Sequence, residues 1–158
     1  MYGIEGKVCQ AALLYFRLVI VVGPIGTGKS ALLRDLKDST GAPLINVNLE
    51  LSRRLLELNE RSRVVRLPRI LDDLVVAEAS GADTVLLDNT ELLFDAALQQ
   101  DPLRLLQNLS RHRTIVAAWL GRVRDGALTY AEQGHPEYGS YPLGESGGPL
   151  IANLEHRP

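Results

Sequence analysis

The stretch that most constrains this chain is Gly23, Pro24, Ile25, Gly26, Thr27, Gly28, Lys29 and Ser30. Its pattern is G-x-x-x-x-G-K-[ST], and its neighbours fit it. Arg17 to Val22 is an apolar, β-branched run suited to a buried parallel strand. After Ser30, the residues Leu32, Leu33 and Leu36 fall on one helical face. Strand, glycine loop and helix are therefore in register. Glycine lets such a loop curl until several N–H groups converge on one concavity, and the helix start adds its partial positive charge. The pattern is that of a P-loop, which predicts that Gly23 to Ala31 cradle the phosphates of a nucleotide. In that reading Lys29 reaches the β- and γ-phosphates and Ser30 offers its hydroxyl to Mg2+. The competing reading is a chance glycine-rich turn between a strand and a helix.

With 158 residues the chain has room for one domain with a substantial core. A net charge of -2 gives no global field to attract nucleic acid or membrane. No apolar run is long enough to span a bilayer, and no signal peptide is expected. The single cysteine, Cys9, excludes a disulfide framework within one chain and suits a reducing, cytoplasmic compartment. Its apolar setting reads as a small helical filler.

Hydrophobic periodicity predicts a helix over residues 6–15, with Val8, Ala11, Ala12 and Tyr15 as its buried stripe. The helix after the glycine loop should stop near Gly41. Residues 43–48 read as a second strand, and Leu51, Leu55 and Leu58 repeat at helical spacing. Residues 61–66 read as a break, with Pro68 opening the next helix. Thr84 to Asp88 is the third strand. Asp101 and Pro102 form a cap and first-turn proline, and Thr114 to Trp119 is the fourth strand. Asp125-Gly126 predicts a two-residue hairpin turn between residues 122–124 and 127–130, with one arm supplying the sheet edge. The alternation predicts an α/β three-layer sandwich, a mostly parallel sheet with helices on both faces and the ligand at the carboxyl ends of the strands. Residues 1–142 form this domain, and 143–158, rich in Gly and Pro, read as a mobile tail.

A phosphate loop needs an acidic partner for magnesium. Asp88, closing an apolar strand, is the candidate; the alternative is a cap for the next helix. In many ATPases a glutamate follows this aspartate and polarises the attacking water. Here Asn89 follows, and an amide cannot act as a general base. Glu91 and Glu50 are the nearby carboxylates that can take that role. Their plain readings are dipole compensation in a first turn and a solvated helix start. Asn46 and Asn48, at the end of the second strand, are placed to orient a water or to hold a glutamate in check.

Arginines crowd residues 53–69, and Arg111, Arg113, Arg122 and Arg124 follow. Three readings compete: solvated faces, an arginine donated to a neighbouring subunit's γ-phosphate, and contact with nucleic-acid phosphates. Few aromatics interleave with them, so base stacking on single strands has no support. Trp119 reads as a core anchor ahead of a base-stacking residue. Neither His112 nor His135 has metal-ligand spacing.

Four segments together resemble the BrxF family: the glycine loop, residues 45–52 (INVNLELS), residues 86–94 (LLDNTELLF) and residues 128–138 (LTYAEQGHPEY). These are the small P-loop proteins of one type of BREX, a bacterial phage-exclusion system. The resemblance spans about residues 15–138, and its last three segments carry its specificity. It implies an AAA-like nucleotide-binding core, with Gly23 to Ser30 as Walker A and Asp88 as Walker B, in a cytoplasmic protein of an antiviral operon. Other BREX proteins are then partners, and DNA is a further candidate. Too few residues follow the fourth strand for the helical lid of full AAA proteins, so a lid arginine is not expected. Asn89 departs from the usual Asp-Glu pair, which puts vigorous hydrolysis in doubt.

Three functions follow from these residues. The first is a Mg2+-dependent ATPase acting as a homo-oligomer, with a neighbour's arginine completing the site. The second is a nucleotide-gated binding module with little turnover that recruits a partner protein or DNA. The third is a small-molecule kinase, for which residues 53–69 are the one place for a lid. No Asn-Lys-x-Asp guanine-reading segment occurs, which favours ATP.

Overall fold

The computed structural model describes residues 3–132, 134–144 and 148–155. Its elements are α1 (Ile4–Ala11), β1 (Leu18–Gly23), α2 (Lys29–Thr40), β2 (Leu44–Asn46), α3 (Val47–Leu55), α4 (Glu60–Ala79), β3 (Thr84–Asp88), α5 (Pro102–Leu109), β4 (Thr114–Arg124), β5 (Ala127–Tyr130), β6 (Gly139–Pro142) and β7 (Leu150–Asn153), with two 3₁₀ turns over Glu91–Phe94 and Ala96–Leu98. Five strands run parallel in the order β2-β3-β4-β1-β7. The fold is thus α/β with a mostly parallel sheet, and helices cover both faces.

Alternation along the strands divides the core. Leu18, Ile20 and Val22 of β1 face α3, α4, α5 and the 3₁₀ turns. Val19 and Val21 face α1 and α2, meeting Ala11, Leu33 and Leu36. A strand buried on both sides reads as one continuous apolar run, which is why β1 is uninterrupted in sequence. The helix starts follow capping chemistry. Asn46 accepts from the Leu49 N–H at 3.1 Å, Asn59 from Ser62 at 2.8 Å and Asp101 from Arg104 at 3.1 Å. At its other end α2 stops on Gly41 in the left-handed region, as expected.

Several elements differ from the sequence expectation. Helix α1 ends at Ala11, four residues early, and Tyr15 is exposed against Phe16 with Arg111 over its ring. Cys9 is exposed on α1 and does not fill its apolar face. Strand β2 stops at Asn46, because Asn46 caps α3 and turns the chain into a helix.

The largest change is α4, which begins at Glu60 and carries Pro68 in its interior. Residues 61–66 are its first turns and not a break. Pro68 has no N–H for the Val64 carbonyl, the acceptor four residues back. The Gln100 side chain supplies the missing donor, with Nε2 2.9 Å from Val64 O. A proline in mid-helix is thereby tolerated.

Strand β4 continues five residues past Trp119. Its first part lies inside the parallel sheet between β1 and β3, and its last part pairs antiparallel with β5, which pairs with β6. The hairpin turn is Asp125-Gly126, as expected, with both residues at positive φ. Its arms do not form the sheet edge. They project beyond the carboxyl ends of the strands; β2 and β7 are the edges of the parallel part, and β6 is the edge of the extension. Gly121 marks the change of partner: a Cβ there would lie 1.7 Å from Thr129 O. Trp119 is fully buried, donates its Nε1–H to Thr129 O at 3.1 Å and meets Phe94 edge-on, so it anchors the core.

The chain after residue 143 is the other correction. Leu150–Asn153 add to the outer side of β1, and the Leu154 N–H donates to Val22 O at 2.8 Å. Edge pairing supplies order that the composition conceals. Residues 145–147 and 156–158 of the expected tail lie outside the described residues.

Candidate functional site

The glycine loop leaves the carboxyl end of β1 and opens α2. Gly26 and Gly28 take φ of 82° and 93°, a region that side chains other than glycine rarely adopt. Thr27 closes the turn on Pro24 O through its N–H and its hydroxyl, the latter at 2.7 Å. The first turn of α2 leaves the N–H groups of Lys29, Ser30 and Ala31 with no acceptor inside the helix. These donors, on the rim of the loop, form an anion-accepting concavity.

Lys29 is folded back into this loop. Its Nζ donates to Gly23 O at 2.8 Å and to Pro24 O at 2.9 Å. Burial lowers its pKa, opposed by the carboxylates of Glu91 and Asp88. Three of the four ionisable residues expected at the site, Lys29, Asp88 and Glu91, therefore share one electrostatic environment, and Glu50 is not among them. Their elements explain this. Gly23 closes β1, Asp88 closes β3, and β4 lies between them. Gly23 is level with Leu120, and Asp88, one step past the Leu87–Ala117 pair, stands two residues further back, so the two ends are about 12 Å apart.

Past Asp88 the chain bends sharply. Asn89 sits at φ 51° and donates its N–H to Asp88 Oδ1 at 2.9 Å. Thr90, buried, donates to Ala118 O at 2.6 Å and ties the bend to β4. Asn48 then joins this bend to the end of β2. Its N–H donates to Asn89 O at 2.8 Å, its Oδ1 accepts from Leu92 N–H at 2.8 Å and its Nδ2 donates to Glu91 Oε1 at 3.2 Å. Asn48 is the residue that holds a glutamate, and Asn46 instead caps α3.

Glu50 is placed differently. Its carboxylate bonds Arg53 and Arg54 at 3.1 and 3.2 Å on α3. Other arginines also have structural partners. Arg63 donates to Leu55 O at 2.9 Å, capping α3, and Arg69 pairs with Asp73. Arg122 pairs with Glu132 at 3.3 Å and with Glu155, and Arg124 reaches Glu155 at 3.5 Å.

Glu155 has no counterpart among the expected site residues. It follows β7, a strand masked in sequence by flanking glycine and proline. The short apolar run from Leu150 to Leu154 is the one signal that points to it. Leu154 and Glu155 border a cavity of about 500 Å³ together with Gly26, Thr27, Gly28 and Ala31. A larger cavity of about 630 Å³ adjoins it across Leu32 and Leu154, walled by the start of α1.

Among the described residues no cluster of three His, Cys, Asp or Glu side chains is arranged to hold a metal. No described helix is long and apolar enough to cross a membrane. No known family model matches the chain. No curated protein is significantly similar to it either.

Proposed function

We propose that this chain is an AAA-like P-loop protein, which binds ATP with Mg2+ and hydrolyses it. The proposed setting is a cytoplasmic bacterial antiviral complex of the BREX type, as a member of the BrxF family. The observation that carries the binding reading is Lys29, a cation inside a glycine loop with Asp88 and Glu91 in its field. Ser30 and Asp88 are the residues that would hold magnesium. That is a small donor set, and magnesium in nucleotide sites commonly takes its remaining oxygens from phosphates and water.

When bound, the ion neutralises phosphate charge. The chain's own residues then have distinct roles. Lys29 exchanges the carbonyls of Gly23 and Pro24 for the β- and γ-phosphate oxygens. The loop and first-turn N–H groups fix the phosphate chain. Glu91, oriented by Asn48, accepts a proton from the water that attacks the γ-phosphorus, and ADP leaves as the bond to its β-phosphate oxygen breaks. The adjoining cavities, within the usual range for ligand sites, have room for ribose and base. Self-assembly, other BREX proteins and DNA belong to this proposal as partners.

A second reading has its own support. Asn89 stands directly after Asp88, and Glu91 is engaged by Asn48. Both features favour a nucleotide-gated module that binds ATP, turns it over little and presents a surface to a partner. Phosphate release and ATP binding, measured together over a range of protein concentrations, separate the two. Turnover that rises with concentration supports the assembled ATPase. Binding without phosphate release supports the module. Absence of binding overturns both.

A further inference from the structure

We propose that Arg122 is a ligand for the terminal phosphate of ATP bound to its own chain, and that Glu155 holds it in reserve until nucleotide arrives. This rests on the ATP-binding reading above. Leu120 of β4 is level with Gly23 of β1, the residue from which the glycine loop springs. Arg122 lies two residues further, roughly 7 Å past the end of the loop strand. Gly121 and Val123 stand opposite Tyr130 and Leu128, whose side chains belong to the core on the α4 side. Strand alternation therefore puts Arg122 and Arg124 on the opposite face, the face from which α2 and the loop are built. Strand β4 also lies between β1 and β3, so Arg122 is on the same side of the loop as Asp88.

Glu155 reaches this arginine from the other side. Leu154 is bonded to Val22 O, and a Cβ on Gly23 would lie 3.3 Å from Leu154 Cβ, so the chain after β7 runs against the base of the loop. Glu155 borders the loop cavity and binds Arg122, with Arg124 at 3.5 Å. The pair is sheltered: the Glu155 side chain is 14% exposed and that of Arg122 29%. A phosphate entering the cavity has two effects on it. It repels the Glu155 carboxylate, and it offers the guanidinium a bidentate acceptor of higher charge. Glu132, 70% exposed, also pairs with Arg122 at 3.3 Å, but the sheltered partner is Glu155, so the guanidinium's buried side is contested by two anions that exclude each other. The carboxylate holds it when the loop is empty, and the phosphate takes it when the loop is filled.

The test is calorimetric titration of the full chain with ATP and with ADP, both with magnesium, for wild type, Glu155→Gln, Arg122→Gln and the double variant. Loss of the competing carboxylate should tighten ATP binding about fivefold, as expected for a partly sheltered ion pair. ADP binding should not change. Arg122→Gln should weaken ATP binding about tenfold, in the range of a charge-assisted bond. In that background Glu155→Gln should have no further effect. An equal gain from Glu155→Gln with and without Arg122 would reveal plain charge repulsion and overturn the proposal. So would an equal gain for ADP, or no gain in a wild type that binds ATP. Should Arg122→Gln not fold, Arg122→Lys keeps the charge, removes the fork and must show the same loss of coupling in part. A wild type that binds neither nucleotide fails the ATP-binding reading itself, a result distinct from all of these.

Discussion

Asn48 grips Glu91 with one side-chain atom and the next backbone N–H with the other. Its Nδ2 donates to Glu91 Oε1 at 3.2 Å while its Oδ1 accepts from Leu92 at 2.8 Å. An amide is the group that can do both, since a carboxylate lacks the donor and an alkyl chain lacks either. This contact joins the end of β2 to the bend after β3, so the orientation of Glu91 depends on a residue 43 positions away in sequence.

Removal of this grip should separate turnover from binding. Glu91→Gln should lower phosphate release by about a hundredfold while ATP affinity is kept, the usual scale for loss of a general base. Asn48→Ala should lower release by roughly tenfold through misorientation of the same carboxylate, and destabilise the fold by about 1–3 kcal/mol through the unsatisfied groups it leaves. Asn48→Asp sets a second carboxylate against Glu91 and should lose more stability than Asn48→Ala, because like charges then face each other. Denaturation midpoints of the variants, with single-turnover assays, check these outcomes.

Pro68 and Gln100 should be coupled. Gln100→Ala strands the Val64 carbonyl and should cost about 1 kcal/mol. In a Pro68→Ala background the N–H of residue 68 can bond Val64 O, and the same truncation should cost clearly less. A double-mutant cycle by urea denaturation measures the difference.

Tyr130 makes the fold sensitive to alkali. Burial, aided by Glu91, Glu137 and Tyr141, pushes its phenol from 10.0 up to about 12. The folded state therefore keeps a proton that the unfolded chain loses, and stability is full below pH 10 and falls as pH rises toward 12. Tyr130→Phe removes the titration, so its melting temperature should decline less over that interval than the wild type's.

Local chemistry explains which parts of the molecule could be read from residues alone. Strand β1, the glycine loop and α2 are specified by neighbours in sequence: a β-branched run, glycines at the positive-φ positions and a leucine face. Strand β3 and the Asp125-Gly126 turn are local in the same sense. Pro68 misleads because its tolerance in α4 depends on Gln100, 32 residues later, which no local pattern reveals. The order of β7 depends on pairing with β1, and its four residues are too few to declare themselves among glycines and prolines. Within the candidate site, Lys29, Asp88 and Glu91 were legible from motif and strand end, and Asn48 from its place after β2. Glu50 was the second candidate in sequence, behind Glu91, and the i+3 and i+4 arginines on its own helix engage it. Glu155 was hidden with the strand that carries it.

The central claim is that the loop around Lys29 binds a nucleotide triphosphate. Equilibrium titration of the full chain with ATP and magnesium, for wild type and Lys29→Ala, tests it most directly. The account predicts saturable binding by wild type, weakened at least about tenfold when the ammonium that would bond the phosphates is removed. Equal affinity in the two proteins, or no binding by wild type, would contradict it.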